Sequence, residues 1–554
     1  MKKLPIGISD YKKLIENDYY YVDKTLFIKE LWEEAGEIKL ITRPRRFGKT
    51  LNLSTLRYFF ERVDVDNSHL FSHTAIWHDL SFRELQGQFP VIFLTFKDVK
   101  EKSWESCYKK IREVIANEFE RHFHILEQTI APHNLKKYLN LLNEEAEEET
   151  YGTSLLFLTR LLHDHYKKRV IVLIDEYDAP IHEAYVNGYY PDVIRFFRSL
   201  MASVFKDNSY LERGLMTGIL RAAREGIFSG LNNLQAYGIT HTKFQDKFGF
   251  TQNEVKQLLN DQNILDKLPE IQAWYNGYSF GEATIYNPWS LNMYVHERGL
   301  LCSYWANTSD NQLIKKLLIY TVEDVKKDLE SLLNGQIIEK EIDEAVIFPG
   351  IEHNPTAVWS LLLFTGYLTY TKQQTNADGK KICLLTIPNK EIMVLYKSLI
   401  KAIIENTISE SNAKMLLTAL TTGDTKIFSE LLQEFISNSM SVFDLPKNEQ
   451  EKSYHLFILG LLVYLMDTYE IKSNRESGFG RYDIMLIPKD SNKLGIIMEF
   501  KKAKDDETIE QAAYKALEQI KQKNYAQELK SRNVHHIKLM GIAFLGKKVL
   551  VVSI

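Results

Sequence analysis

The sequence has few cysteines and no apolar run long enough to span a membrane. Its three cysteines, Cys107, Cys302 and Cys383, are too few and too scattered for a disulfide framework or a Cys-x-x-Cys metal site. We therefore expect a protein of the reducing cytoplasm. The N-terminal residues lack the apolar core and cleavage site of a signal peptide, and the longest apolar runs fall short of the roughly 20 residues that cross a bilayer. We expect no membrane association.

The sequence also lacks a strong charge of either sign. Its net charge is −4 at pH 7, so any contact with nucleic acid has to come from a local patch. An apolar content of 45% and a charged content of 26% are typical of a soluble globular protein. The length of 554 residues predicts two or three domains.

An apolar strand in the N-terminal half runs into a glycine-lysine-threonine turn. Residues 40–50 read Leu-Ile-Thr-Arg-Pro-Arg-Arg-Phe-Gly-Lys-Thr. A phosphate-binding loop needs backbone N–H groups aimed at an anion, a lysine for the phosphates, a hydroxyl for Mg²⁺ and a helix start. Gly48, Lys49 and Thr50 match these needs, but Arg43 stands where the pattern has its first glycine. The alternative is an ordinary loop with the lysine in solvent.

A second buried strand, residues 169–174, ends in Asp175 and Glu176. Ligands of open α/β sheets bind at the carboxyl ends of the strands. An aspartate there can hold the Mg²⁺ of a bound nucleotide, and the adjacent glutamate can polarise the attacking water. The alternative is a helix cap that follows a strand.

Three further strand-like runs, residues 90–96, 214–218 and 237–240, complete a predicted five-stranded parallel sheet. Thr217 would lie at a strand end as a polar sensor of the γ-phosphate. Arg221 or Arg224 could stabilise charge in the transition state, although surface arginines that open a helix explain them as well. The aromatic residues 19–21 fit a base-stacking site and a packed lid equally well.

Beyond residue 248 the sequence changes to short helices and aromatic turns, which indicate a helical lid. Residues 305–396 look like mixed helix and strand, with a winged-helix-like pattern and a polar hairpin tip at residues 373–381.

Residues 6 to about 396 resemble the bacterial AAA-ATPase-like family, relatives of the STAND and archaeal-type P-loop ATPases. The motifs that carry the resemblance are Arg43-Pro-Arg-Arg-Phe-Gly-Lys-Thr50, Leu173-Ile-Asp-Glu-Tyr-Asp178, Thr217-Gly-Ile-Leu-Arg221, Phe228-Ser-Gly-Leu-Asn-Asn233 and Tyr286-Asn-Pro-Trp-Ser290. An arginine at the first loop position is usual in that family. The resemblance implies ATP as the ligand, and its members commonly carry a C-terminal nuclease-like domain.

The C-terminal region contains a second set of charged residues on predicted strands. Asp483 follows a Gly-Arg-x start, and a later apolar strand ends in Glu499-Phe-Lys501. Glu499 and Lys501 share one face of their strand because side chains alternate. Two carboxylates can hold Mg²⁺ or Mn²⁺ for phosphodiester cleavage, and the lysine can orient the attacking water. The alternative is a salt-bridged end of a sheet.

This arrangement resembles the D…(D/E)-x-K core of the PD-(D/E)XK nucleases. The resemblance implies an α-β-β-β-α-β order, Glu451 as a third acid, and Gln519 or Tyr525 near the substrate. His455 could contact substrate or metal, or it could be an ordinary core histidine.

We therefore predict an α/β protein in which a P-loop NTPase sheet with a winged-helix-like lid precedes a restriction-endonuclease-like domain. The predicted domains are residues 1–247, 248–400 and 401–554. The nucleotide-binding residues are Arg46, Gly48, Lys49, Thr50, Asp175, Thr217 and Arg221. The catalytic residues are Glu176, Asp483, Glu499 and Lys501. The candidate metal ligands are Thr50, Asp175, Glu451, Asp483 and Glu499.

The predicted function is that of an ATPase which controls a Mg²⁺-dependent nuclease in a bacterial cytoplasm. Nucleic acid is the expected partner, with DNA favoured over RNA, and a homo-oligomer is left open. One alternative is a nucleotide-switched binding module whose nuclease-like domain is inactive. Another is an NTPase that binds its nucleotide without turnover.

Overall fold

The computed structural model describes residues 2–127, 129–221, 227–228, 231, 233–305, 323–345, 351, 354–405, 408–442, 460–461, 463–477, 480–504 and 507–554. The chain divides into two units. The first comprises Met1–Ser309 and Glu339–Ile392, and the second comprises Asp310–Ile338 and Met393–Ile554. The predicted domain boundaries after residues 247 and 400 stay predictions.

A five-stranded parallel sheet forms the centre of the first unit, as the sequence predicts. The strand order is β2-β3-β4-β1-β5, and every neighbouring pair is parallel. The strands are β1 (Ile38–Thr42), β2 (Val91–Thr95), β3 (Val170–Asp175), β4 (Leu211–Gly218) and β5 (Leu234–Tyr237). All residues of β1 and β3 are buried, which explains why β3 reads as a continuous apolar run up to Asp175.

Helices connect these strands, and the predicted helical region between β2 and β3 is confirmed. The helices are α1 (Tyr11–Glu16), α2 (Leu26–Glu33), α3 (Lys49–Phe60), α4 (Leu80–Leu85), α5 (Trp104–Leu126), α6 (Pro132–Leu142), α7 (Glu148–Gly152), α8 (Ser154–Tyr166), α9 (Ala179–Asn187) and α10 (Tyr190–Phe205). Short 3₁₀ helices occur at Ser68–Leu70, Ala75–His78 and Leu265–Lys267.

The fifth strand lies earlier in the chain than the sequence predicts. The predicted run was residues 237–240, whereas β5 ends at Tyr237. The chain turns at the next residue, because the Gly238 N–H donates to Nδ1 of His241. Strand β5, which pairs with β1, therefore shares only Tyr237 with the predicted run.

The N-terminal aromatic residues pack on other parts of the first unit. The Tyr20 hydroxyl donates to Asp261 at 2.8 Å, and the ring of Tyr21 meets the edge of the Tyr11 ring at a centroid distance of 5.4 Å. Tyr11 is buried and its hydroxyl donates to the Leu70 carbonyl. Of the two interpretations left open by the sequence, the packed segment is the one that these contacts favour.

The lid region begins with a small antiparallel sheet and short helices. Its elements are β6 (Phe250–Thr251), α11 (Gln252–Asp261), α12 (Leu268–Tyr275), β7 (Tyr278–Phe280), β8 (Ala283–Tyr286) and α13 (Pro288–His296). Thr251 and Glu254 form a capping box at the start of α11. Asn287 caps α13, since its side-chain oxygen accepts from the N–H groups of Trp289 and Ser290.

A second three-stranded sheet follows, with the predicted hairpin at its tip. Its strands are β9 (Ile338–Ile342), β10 (Thr369–Thr375) and β11 (Lys381–Thr386), and α15 (Pro355–Phe364) precedes the hairpin. Strands β10 and β11 are antiparallel, and the Asn376 side chain accepts from the N–H groups of Asp378 and Lys380 in the turn. The polar residues of this segment therefore belong to a hairpin turn.

The second unit contains a five-stranded sheet in the order β12-β13-β14-β15-β16. Its elements are α14 (Glu323–Leu333), α17 (Glu410–Thr422), α18 (Thr425–Val442), β12 (Tyr469–Ser477), β13 (Gly480–Pro488), β14 (Gly495–Lys502), α19 (Ile509–Gln522), α20 (Ala526–Ser531), β15 (Ile537–Leu545) and β16 (Lys548–Ser553). Helix α16 (Lys390–Glu405) begins in the first unit and continues in the second. Among the described residues, no helix is long and apolar enough to cross a bilayer.

Two glycines shape the second unit. Gly423 has a φ of 80° and ends α17, so α17 and α18 are two separate helices. Gly541 on β15 lies directly under α19. A side chain at this position would therefore collide with the Ala513 carbonyl and the Leu517 N–H group. Its missing side chain lets the helix lie close to the sheet.

Glu391, in the first turn of α16, is a buried carboxylate whose nearest partners are neutral. It accepts hydrogen bonds from the Ser290 hydroxyl and the Trp305 N–H. Burial raises the pKa of Glu391 from 4.5 to about 7. The folded chain therefore favours the protonated form of the Glu391 carboxyl group.

We predict that the stability of the first unit falls as the pH rises from about 4.5 to 7, because the unfolded chain releases this proton first. Glu391→Gln keeps the shape and retains an acceptor oxygen for Ser290, but it cannot titrate. Its stability relative to the natural sequence should rise by on the order of 3 kcal/mol between pH 4.5 and 8. Urea unfolding of both proteins at several pH values measures this, and parallel pH profiles would contradict it.

Candidate functional site

The loop between β1 and α3 has the geometry of a phosphate-binding turn, although its first position is not glycine. Gly48 has a φ of 87° and immediately precedes α3, so its glycine is required by backbone conformation. Arg46 also adopts a left-handed conformation, with a φ of 67°, whereas Arg43 does not. A side chain at position 43 is therefore compatible with this loop.

The Arg43 side chain turns under the loop and is fully buried. Its guanidinium group donates to the carbonyls of Thr42, Tyr237 and Phe244 at 2.8–3.1 Å. It also lies 5.2 Å from the ring centroid of Phe248, and at the same distance from that of Phe280. Burial lowers the pKa of Arg43 to about 9. Arg43 joins the loop to β5 and the lid region, so its role here is structural.

The side chain of Lys49 turns back into the loop that precedes it. Its Nζ donates to the carbonyls of Arg43 and Pro44 at 3.0 and 2.9 Å. Burial lowers the pKa of Lys49, and the carboxylates of Glu176, Asp178 and Asp175 act in the opposite direction. The amine is therefore close to the acids that follow β3.

Asp175 is the centre of a cluster of threonine hydroxyls. Its Oδ2 accepts from Thr50 at 2.8 Å and from Thr95 at 3.2 Å, and its Oδ1 accepts from Thr217 at 2.7 Å. Burial and the neighbouring Glu176 raise the pKa of Asp175. Strand β4 lies between β1 and β3, which places Thr217 between the loop and Asp175. Thr95 was not predicted, although its place at the end of β2 could have indicated it.

The Thr50 and Asp175 oxygens fit a shared Mg²⁺ ion. Mg²⁺ has oxygen ligands at about 2.0–2.1 Å in octahedral geometry, so two neighbouring ligands lie about 2.9 Å apart. The Thr50 Oγ1 and Asp175 Oδ2 atoms are 2.8 Å apart. A hydroxyl and a carboxylate are also the ligands that this ion prefers.

Glu176 and Arg46 are close enough for their charges to interact. Glu176 has a φ of 48° and is half-buried. The Arg46 side chain is exposed, and its guanidinium carbon lies 4.4 Å from the ring centroid of Trp289. Partial desolvation lowers the pKa of the Arg46 guanidinium, and the charge of Glu176 opposes this shift.

Asp178 holds the segment after β4, and the sequence did not single it out. Its Oδ2 accepts from the N–H groups of Ile219 and Leu220 at 2.7 and 2.9 Å. A side chain at Gly218 would come within 2.7 Å of Asp178 Oδ1. Arg221 follows this segment and is half-buried, whereas Arg224 lies outside the described residues.

The second unit brings Asp483 and Glu499 together on neighbouring strands. Ile484 pairs with Met498 in the antiparallel register of β13 and β14, so the two acids come next to each other on these strands. Asp483 Oδ2 accepts from the Phe500 N–H at 2.7 Å. Burial raises the pKa of Asp483, and Lys501 opposes this shift.

Gln519 joins Glu499 to Lys501. Its Nε2 donates to Glu499 Oε1, and its Oε1 accepts from Lys501 Nζ at 2.7 Å. Glu499 is only 5% exposed, and its Oε2 has no hydrogen-bond partner. Burial and the Asp483 carboxylate raise the pKa of Glu499 to about 8. The Tyr525 hydroxyl also lies close, since both acids raise its pKa.

The pair Asp483 and Glu499 has the chemistry of a divalent-cation site. An unpartnered buried carboxylate oxygen next to a second carboxylate is costly unless a positive charge compensates it. The described residues contain no group of three or more His, Cys, Asp or Glu that could hold a metal. The predicted third acid, Glu451, and the neighbouring His455 lie outside the described residues.

Comparison with known protein families agrees with this architecture. Residues 5–228 match the family model of a predicted AAA-ATPase, and residues 449–554 match that of the PD-(D/E)XK nuclease superfamily. These matches confirm the two resemblances, and they point to nucleotide binding and nuclease chemistry. A protein of Azotobacter chroococcum mcd 1, named "Uncharacterized protein in vnfD 5'region", is 27% identical in an alignment 573 residues long. The alignment covers 98% of this chain and 96% of that protein.

We predict that a glycine at position 43, as in the G-x-x-x-x-G-K-[ST] pattern, destabilises the first unit. Arg43→Gly removes three buried hydrogen bonds and two ring contacts, at a cost of about 2–4 kcal/mol. Arg45→Gly is a matched control, because it introduces the same backbone freedom at a half-exposed arginine of the same loop. Urea unfolding measures both variants, and equal losses would show that the Arg43 side chain contributes nothing beyond this freedom.

The raised pKa of Glu499 predicts that cation binding depends on pH. Below about pH 8 the carboxyl carries a proton that a cation must displace, so Mn²⁺ affinity should increase by up to about tenfold per pH unit between pH 6 and 8. Glu499→Gln should abolish this binding at every pH. Calorimetry in buffers of different ionisation enthalpy counts the released protons, and an affinity that is constant over this range would refute the prediction.

Proposed function

We propose that this chain binds and hydrolyses ATP at the β1–α3 loop, and that this reaction controls a Mg²⁺- or Mn²⁺-dependent nuclease in the second unit. The observation that carries the proposal is the Asp175 cluster, in which the loop hydroxyl of Thr50 meets the aspartate at the end of β3. The family matches supply the two reaction classes.

In the nucleotide site, the N–H groups at the start of α3 face the phosphates, and Lys49 and Arg46 bind them as cations. Thr50 and Asp175 hold the Mg²⁺, which would neutralise charge on the phosphate oxygens. Glu176 orients the attacking water and accepts its proton. Thr217 senses the terminal phosphate from its position beside Asp175, and Arg221 stabilises the developing charge.

In the nuclease site, Asp483 and Glu499 hold the divalent cation, which would lower the pKa of a bound water and polarise the phosphodiester. Lys501 orients that water and offsets the negative charge of the transition state. Gln519 is a positioning residue, because it fixes both Glu499 and Lys501 through one amide group. Glu451 would be the third acid.

The substrate that we propose is nucleic acid, with DNA favoured over RNA. Cytoplasmic location and a bacterial setting belong to the same proposal, and the three cysteines, all free in the structure, are consistent with a reducing compartment.

Cleavage of labelled DNA and RNA, single- and double-stranded, with Mg²⁺ or Mn²⁺ tests the nuclease. Glu499→Ala should lose at least about a hundredfold in rate, since it removes a metal ligand. Glu510→Ala is the matched control, an exposed acid in the first turn of α19, and should keep its rate. If the natural chain and Glu499→Ala are equally inactive on every substrate, the second unit is instead a recognition module.

Nucleotide binding and turnover test the first unit. Lys49→Ala should weaken ATP binding by at least about tenfold, because a phosphate contact is lost. Glu176→Gln should keep the affinity and lose phosphate release, because the general base is removed. Titration calorimetry and a phosphate-release assay measure these effects. Unchanged ATP affinity in Lys49→Ala would refute the proposed site.

A further inference from the structure

Two tryptophans of the lid region contact the two arginines that precede Phe47 in the phosphate loop. The Trp305 indole N–H donates to the Arg45 carbonyl at 3.2 Å. The Trp289 ring lies under the Arg46 guanidinium at 4.4 Å. Trp305 is buried and Trp289 is half-buried. These contacts connect the loop to the Tyr286–Ser290 motif, which the proposed chemistry does not use.

The carboxylate of Glu391 holds both tryptophan segments. It accepts from the hydroxyl of Ser290, the residue after Trp289, at 2.8 and 3.0 Å. It also accepts from the backbone N–H of Trp305 at 2.8 Å. Glu391 is fully buried. The two segments that contact the phosphate loop therefore share one anchoring side chain.

Glu391 belongs to the helix through which the chain passes from residues 339–392 of the first unit into the C-terminal part of the second unit. Helix α16 begins at Lys390 in the first unit, and its residues from Met393 onward belong to the second. The start of this helix is fixed to the lid region, since the Asn389 side chain donates to the Asn276 carbonyl and accepts from the Ile392 N–H. A displacement of the tryptophan segments would thus act on the first turn of α16.

We propose that Glu391 is a positioning residue that couples the phosphate loop to helix α16. This inference rests on the proposed function, because it requires a nucleotide at the loop. A bound phosphate offers Arg46 charge-assisted hydrogen bonds, which are stronger than its contact with the indole face. Arg46 then leaves Trp289. The resulting displacement of the two tryptophan segments reaches Glu391 through Ser290 and Trp305. The element that responds is the first part of α16.

Hydrogen exchange of the full-length protein tests this coupling without requiring nuclease activity. Mg²⁺ with ATPγS is the probe, and titration calorimetry first establishes that it binds. In the natural sequence, saturating nucleotide should change deuterium uptake by at least about twofold in peptides that cover the start of α16. Glu391→Ala should lose this response and keep its nucleotide affinity, whereas Glu391→Gln, which retains the acceptor oxygen, should restore it.

Ser290→Ala is a second test variant, because it removes one hydroxyl and leaves the carboxylate in place. It should reduce the α16 response while the affinity for ATPγS stays within about threefold. A purely structural role of Glu391 would lower stability in the variants without changing the nucleotide response of α16.

Three results would overturn the inference. If ATPγS binds and protects residues 43–50 but leaves α16 unchanged in the natural sequence, the coupling is wrong and the nucleotide site stands. If Glu391→Ala and Ser290→Ala both keep the full response, the signal does not pass through Glu391. If calorimetry detects no nucleotide binding, the proposed function fails and the inference fails with it.

Discussion

The burial of Asp175 is the constraint on which the proposed nucleotide site depends. A carboxylate without water needs donors at both oxygens, and threonines from three different elements supply them. These donors come together only because the sheet order places β4 between β1 and β3, with β2 on the far side of β3. The same order puts Asp178 within reach of the segment after β4. The geometry of the site therefore follows from the pairing of the strands.

The sequence predicts those parts of the structure that have a local cause. The apolar run of β3 is continuous because the strand is buried on both faces. The glycine at position 48 marks a left-handed residue before a helix. The Glu-x-Lys pair on β14 follows from alternation alone. Each of these signals lies within a few residues of the feature that it specifies.

The remaining features could not be predicted because their partners are distant in the chain. Arg43 looks like a defect in the loop motif until its contacts with Phe244 and Phe280 are known. No local signal in the sequence predicts that the Asp178 carboxylate bonds to the segment after β4. Glu391 has no local sequence signal at all, since both of its partners belong to the lid region. The predicted position of β5 was wrong because the chain turns at Gly238, so the apolar Ile239 lies outside the strand.

The two candidate sites offset the desolvation cost of a buried carboxylate with different hydrogen-bond donors. At Asp175 the donors are hydroxyls, and a hydroxyl oxygen can bind a cation as well as donate to a carboxylate. At Glu499 the donor is an amide N–H from Gln519, which cannot bind a cation, but it occupies only Oε1 and leaves Oε2 without a partner. A cation can therefore use free lone pairs at either site while the surrounding hydrogen bonds stay in place. Gly541 makes the second arrangement possible, because it allows α19 to carry Gln519 close to the sheet.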